Sequence, residues 1–180
     1  MRYYKLMTSA YSCKNPLVLK VNPEENYFDE KSLYEDIDLN CNLIKANSYS
    51  NLNDITIEDF IMSNVGLPIV TKRAKVLIEK LSIGNTKFIP VEVVGITDKG
   101  VKLYAMHIRN YVSDDAINPD ICKCAGNSIA VYGFFEERIR GNDLFILKKN
   151  KFAKFVSQNF VQIIKKNKLT GFAFADVRTI

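Results

Sequence analysis

Pro68-Ile69-Val70-Thr71-Lys72-Arg73-Ala74-Lys75-Val76-Leu77-Ile78 opens on a β-branched pair, reaches a hydroxyl residue and continues at helix spacing. Ile69 and Val70 favour a strand. Thr71 is a suitable N-cap, because its side-chain oxygen accepts one of the orphan N–H groups in a helix's first turn. Ala74, Leu77 and Ile78 then fall at i, i+3 and i+4, one apolar helix face. Lys80 and Ile83 follow, the helix breaks at Gly84-Asn85, and residues 87–94 read as a strand. Displaced by 86 residues, Phe155-Val156-Ser157 begins the same pattern, continued by Phe160, Ile163, Ile164, Lys166 and Leu169. Thr170-Gly171 breaks this second helix, and residues 172–177 read as a strand. The chain therefore carries an internal repeat of strand, hydroxyl cap, helix of about ten residues, and strand.

The segments around the repeat are mostly strand-like. Residues 101–109 pair with 87–96 in a hairpin through Thr97-Asp98-Lys99-Gly100. Residues 128–135, 144–147 and 152–156 are rich in aromatic and β-branched residues, the last two flanking a Lys-Asn turn. Residues 2–7 are expected as an edge strand. Residues 56–63 are expected as a short helix with Ile57, Phe60 and Ile61 on one face, and residues 113–127 as an irregular loop. Residues 22–53 are polar and Asn-rich, mostly loop with a short helix near 30–36. The expected class is α+β: a mixed, largely antiparallel sheet with a few short helices, containing the two repeats. The expected organisation is one domain, 1–180, with a loop-rich acidic part at 1–55 and the repeat-containing core at 56–180.

A chain of 180 residues, 47% hydrophobic, with eleven Phe and nine Tyr, can bury a core that needs neither metal nor disulfide. It lacks the apolar run of a signal peptide or a membrane span, so a cytoplasmic, membrane-free protein is expected. Of Cys13, Cys41, Cys122 and Cys124, only Cys122-Lys-Cys124 is a close pair, and only His107 could assist it. Zinc sites usually want two separated pairs, so no metal or cofactor is expected. His107 is the single histidine and alternates onto the face of Val101, Leu103 and Ala105, which reads as a hydrogen-bonded core position. No phosphate loop, nucleophile elbow or metalloprotease helix is present, so no catalytic residues are assigned and the chain is read as a non-enzyme. Lys148, Lys149, Lys151, Lys154, Lys165, Lys166 and Lys168, with Phe152 and Phe155 interleaved, offer a surface resemblance to a single-strand binder. Their alternation reads instead as core aromatics and a solvated lysine face. A small nucleic-acid-binding protein or an unrecognised small enzyme is the alternative reading.

The net charge of +5 is unevenly spread. Residues 24–60 hold ten acids against two lysines, a net of −8, whereas the rest of the chain carries +13. The phrases from Pro68 to Leu77 and Phe88 to Val93, and Phe155-Val156-Ser157 with Leu169 to Phe174, resemble a bacterial family. Leu103-Tyr104-Ala105-Met106 and Tyr3-Tyr4-Lys5-Leu6 are similar to it too. It is the eleventh immunity-protein family of bacterial polymorphic toxin systems, formerly a domain of unknown function. The resemblance is good over 56–180 and poor over 1–55, and its motifs are structural. It implies a cytoplasmic antitoxin that binds and neutralises a cognate protein toxin, and it supplies no catalytic residues. The acidic stretch makes Glu35, Asp36, Asp38, Asp54, Glu58 and Asp59 the candidate contacts with a basic toxin, a nuclease among the options, on the expectation that these carboxylates are exposed.

Overall fold

The computed structural model describes residues 1–9, 14–22, 24–26, 42–50, 54–96, 100–126 and 128–180. It has the expected α+β class, with mixed sheets and short helices. The residues group into two compact units, one of 8–107 with 168–172, the other of 1–7, 108–167 and 173–180. These divisions do not fall at residue 55. The expected helix near 30–36 and the turn at 97–99 lie outside the described residues.

The first unit is built on a six-stranded sheet. Its strands are β2 (Leu19–Val21), β3 (Ile44–Ser48), β4 (Phe60–Met62), β5 (Pro68–Thr71), β6 (Thr86–Val93) and β7 (Leu103–Ile108). Their order is β2-β3-β6-β7-β5-β4. β3 and β6 run parallel, with Ile44 opposite Val91; β2–β3, β4–β5 and β5–β7 are antiparallel. The sheet then closes on itself, because the first strand also meets the chain around the last. Leu17 N donates to Thr56 O (3.1 Å), Asn64 N to Leu19 O (3.2 Å), and Val21 N to Asn64 Oδ1 (2.7 Å). Closure leaves one set of alternate side chains inside: Leu19, Val21, Ile44, Ala46, Ile61, Ile69, Ile89, Val91, Val93, Leu103 and Ala105 are all buried in one cluster. We call this the barrel unit. Residues 56–63 are therefore a correction to the expected helix. An apolar run this short does not fix its own period, and pairing of Phe60 with Val70 and Ile61 with Ile69 makes it a strand.

The second unit, which we call the aromatic unit, is built on a five-stranded sheet. Its strands are β1 (Tyr3–Thr8), β8 (Tyr111–Val112), β12 (Leu144–Leu147), β13 (Lys154–Ser157) and β14 (Phe172–Asp176), in the order β14-β1-β13-β12-β8. Thus β1 is an inner strand rather than an edge. Distant segments supply its neighbours, and local sequence carries no trace of that. Phe155 is the hub of the core, stacked on Phe145 at 5.3 Å and edge-on to Phe134 and Tyr132 at 4.9 and 4.8 Å. Such geometries add about 0.5–1.5 kcal/mol per pair beyond burial. Residues 113–127 are more regular than expected: a strand β9 (Lys123–Ala125) pairs antiparallel with β10 (Ser128–Val131). The expected strand 128–135 divides at Tyr132, since β11 (Gly133–Phe134) pairs with β15 (Arg178–Thr179) instead.

Helix α1 (Lys72–Leu81) follows β5, and helix α3 (Gln158–Lys166) follows β13; a short α2 (Glu136–Ile139) lies between them. Thr71 Oγ1 accepts from Ala74 N, and Ser157 Oγ accepts from Phe160 N, so both hydroxyls are N-caps. Ala74 and Ile78 are buried in one helix, Phe160 and Ile164 in the other. Leu77 and Ile163 are half-buried, where full burial would follow from spacing alone.

Two positions depart from the reading of the lysine-rich segment. Phe152 is 62% exposed and Lys154 only 5% exposed, the reverse of a core phenylalanine and a solvated lysine. The strand starts at Lys154, so Phe152 lies before it, without a paired strand to pack on, while Lys154 is flanked by Leu6 and Ile146. Burial pushes the Lys154 ammonium down to about 8. An unfolded lysine keeps its proton to about pH 10.4. Between these values the unfolded state binds more protons, so the Lys154 penalty is full below pH 8 and fades as pH rises towards 10.5. Lys154→Met should stabilise the protein at pH 7 by about 1–3 kcal/mol and remove that alkaline rise, as measured by denaturant unfolding across pH. Gly171 sits at φ +82°, where an added Cβ would lie 2.3 Å from Phe60 O. Gly171→Ala should cost more than about 2 kcal/mol, since both strain and a backbone clash oppose it; a thermal melt within 2 °C of wild type, by the roughly 2–4 °C per kcal/mol scale, would contradict this.

Candidate functional site

The acidic stretch is the first place to look. Asp54 is exposed, and its carbonyl accepts from Asn15 Nδ2 at 3.1 Å. Glu35, Asp36 and Asp38 lie outside the described residues. Glu58 and Asp59 are each only 7% exposed, which corrects the expectation that they belong to a solvated face. Ile55, Ile57 and Ile61 pack on the barrel core and draw the intervening acids inward.

Asp59 is the centre of a polar node within the barrel unit. Its Oδ1 accepts from Thr71 Oγ1 at 2.6 Å, and its Oδ2 from Arg73 Nη2 at 2.8 Å and Thr170 N at 3.0 Å. The Asp59 carbonyl accepts from Thr71 N at 3.2 Å, and its own N–H donates to Thr170 Oγ1 at 3.2 Å. Arg73 also donates to the Lys168 carbonyl at 2.8 Å. A carboxylate next to a hydroxyl invites a catalytic reading, but Thr71 Oγ1 is already committed to the Ala74 amide. The arrangement is a latch that orients a helix cap.

The aromatic unit contains the same latch. Ser157 Oγ donates to Asp143 Oδ1 in a short hydrogen bond, and Ser157 N donates to Asp143 O at 3.1 Å. The first helical amides also match: Lys72 N donates to Lys102 O at 3.1 Å, Gln158 N to Arg2 O at 2.8 Å. At the position of Arg73 stands Asn159, whose Nδ2 lies 3.4 Å from both Asp143 oxygens. The aspartate of each latch was missed in the sequence because it lies 12 or 14 residues ahead of its cap, across a hairpin.

The remaining candidates divide between core and surface. His107 is buried in β7, as its strand position suggests. Cys122 is half-buried, with its Sγ accepting from Gly133 N at 3.2 Å, and Cys124 is exposed on β9. Among the described residues no group of three or more His, Cys, Asp or Glu side chains converges as a metal site would require. A cleft of about 210 Å³ lies beside Pro16, Val18, Glu58, Phe60 and Asn64. Ligand pockets usually run from about 300 to 1,000 Å³, so it is small for one. No helix among the described residues is long and apolar enough to cross a membrane.

Residues 148–152 lie in the turn between β12 and β13 of the aromatic unit. Lys148 and Lys149 are exposed beside exposed Phe152. Lys149 N donates to both Asp114 carboxylate oxygens at 3.1 and 3.3 Å. Lys151 Nζ sits 4.9 Å from the Tyr111 ring centre. The polar groups described in both units hold helices and loops in place. None of the curated proteins matches the chain. Residues 21–179, nearly its whole length, match the model of the immunity protein family (Imm11), and the chain belongs to that family.

Proposed function

We propose that this chain is a non-catalytic antitoxin that binds a cognate bacterial toxin in the cytoplasm and blocks it by covering its working surface. The observation that carries this reading is the family match over residues 21–179. An occluding inhibitor needs a stable scaffold and a distinctive surface, not reactive groups. Carboxylates latched to helix caps and cores closed around aliphatic or aromatic clusters support the scaffold half of the reading.

The charge distribution supports a basic toxin, and we take a nuclease as its class. Carboxylates can imitate the phosphates that such a toxin's surface attracts, and opposite charge speeds encounter. Exposed Asp54, with Glu35, Asp36 and Asp38 of the same stretch, is assigned to that contact; buried Glu58 and Asp59 act through the fold. We also read the two latched segments as copies of one ancestral unit. The matched caps, carbonyl acceptors and helix-start hydrogen bonds support it.

The test expresses the products of the genes on either side of this one singly and takes as the toxin whichever of them arrests growth. Co-expression should restore growth, and the purified proteins should form a stoichiometric complex. At exposed Asp54 the charge contributes little to stability, and reversal of Glu35, Asp36, Asp38 and Asp54 to lysine, in pairs, should leave folding intact. It should slow association about tenfold or more at low salt. Growth arrest despite co-expression would remove the antitoxin reading, and unchanged association rates for every pair would remove the acidic contact.

A further inference from the structure

We propose that residues 148–152 form a prearranged anchor that inserts Phe152 into an apolar, acid-rimmed pocket on the partner protein. The proposal rests on the antitoxin reading and names a surface distinct from the acidic stretch.

An exposed phenylalanine is ordinary on a loose loop, where it can fold back or wander. This loop is held at four points. Lys148 N donates to Val112 O at 3.1 Å, and Lys149 N to the Asp114 carboxylate. Asn150 accepts from Ala153 N at 3.3 Å while its Nδ2 donates to Tyr132 Oη at 2.7 Å. The fourth tie is Lys154 Nζ, which donates to the Phe152 carbonyl at 3.0 Å. A buried ammonium is expensive to desolvate, and an apolar side chain would fill the same space at less cost. Here the amine donates to the carbonyl of the exposed aromatic residue. A backbone held in advance loses little freedom on binding, and phenylalanine is among the aromatics enriched in the buried core of interfaces.

Exposed Lys148 and Lys149 beside the ring set the chemistry of the receiving rim as acidic. Single-stranded nucleic acid would use several stacking rings along a groove. Among the described residues the exposed large aromatics are Phe152 and Tyr49, and only Phe152 lies in this unit. One ring on a tight loop favours a pocket in a protein.

The experiment titrates the full-length chain with the purified growth-arresting protein identified by that expression test, and separately with a twenty-nucleotide oligothymidine. Phe152→Ala should keep the wild-type melting temperature and bind the toxin at least ~30-fold more weakly, the threshold of a dominant interface residue. Lys154→Met should melt higher than wild type yet bind about tenfold more weakly, opposite signs that a purely structural lysine would not give. Toxin affinity within about twofold of wild type for Phe152→Ala would overturn the proposal. So would oligothymidine binding that depends on Phe152 while toxin binding does not, which would assign the loop to nucleic acid. Failure of the unaltered chain to bind the toxin would remove the antitoxin reading itself, and is distinguished from failure of the anchor by that control.

Discussion

Asp59 and Asp143 each accept a hydrogen bond from the hydroxyl that caps the following helix, and each also accepts the amide of that cap residue on its backbone carbonyl. A hydrogen bond to a carboxylate is roughly twice as strong as one between neutral groups. It also orients the hydroxyl, so that its lone pair faces the orphan amide of the first turn. The strand before the helix, the strand that begins just after the aspartate and the helix itself are thereby fixed to one another. In each unit a further strand completes the arrangement, since the first helical amide donates to the carbonyl just ahead of β7 or β1. Loss of the carboxylate would leave a buried polar hydroxyl and a helix end short of acceptors together.

The parts of this arrangement that are local were legible in the sequence. Thr71 and Ser157 stood out as caps because a β-branched or aromatic run ends on them and helix spacing begins. Ile78 and Ile164 follow from that spacing, and both are buried. The aspartates did not stand out, because their role depends on a hairpin register. Composition groups Asp59 with its acidic neighbours, whereas Phe60 and Ile61, which local periodicity does not identify as a strand, begin one directly after it. Lys154 and Phe152 show a related limit. Alternation assigns residues to faces, but the end of the strand decides which of them finds a neighbour to pack against.

The two latches are not equal. Asp59 gathers Thr71, Arg73 and both polar groups of Thr170, whereas Asp143 meets Ser157 and, at longer range, the Asn159 amide. In the aromatic unit the hairpin between β12 and β13 ends in a lysine-rich loop with an exposed ring, where the matching hairpin of the barrel unit turns through Ser63 and Leu67, both buried. Of the two hairpins, one thus has buried side chains at its turn and the other an exposed ring.

Native-state hydrogen exchange at the Ala74 and Phe160 amides tests most directly whether the latches carry the fold. The account predicts that Asp59→Ala lowers protection at Ala74, and Asp143→Ala at Phe160, by about 10- to 100-fold, the equivalent of a charge-assisted hydrogen bond worth roughly 1.5–3 kcal/mol. Unchanged protection at both amides would contradict it, and would mean that packing alone holds the helix starts in place.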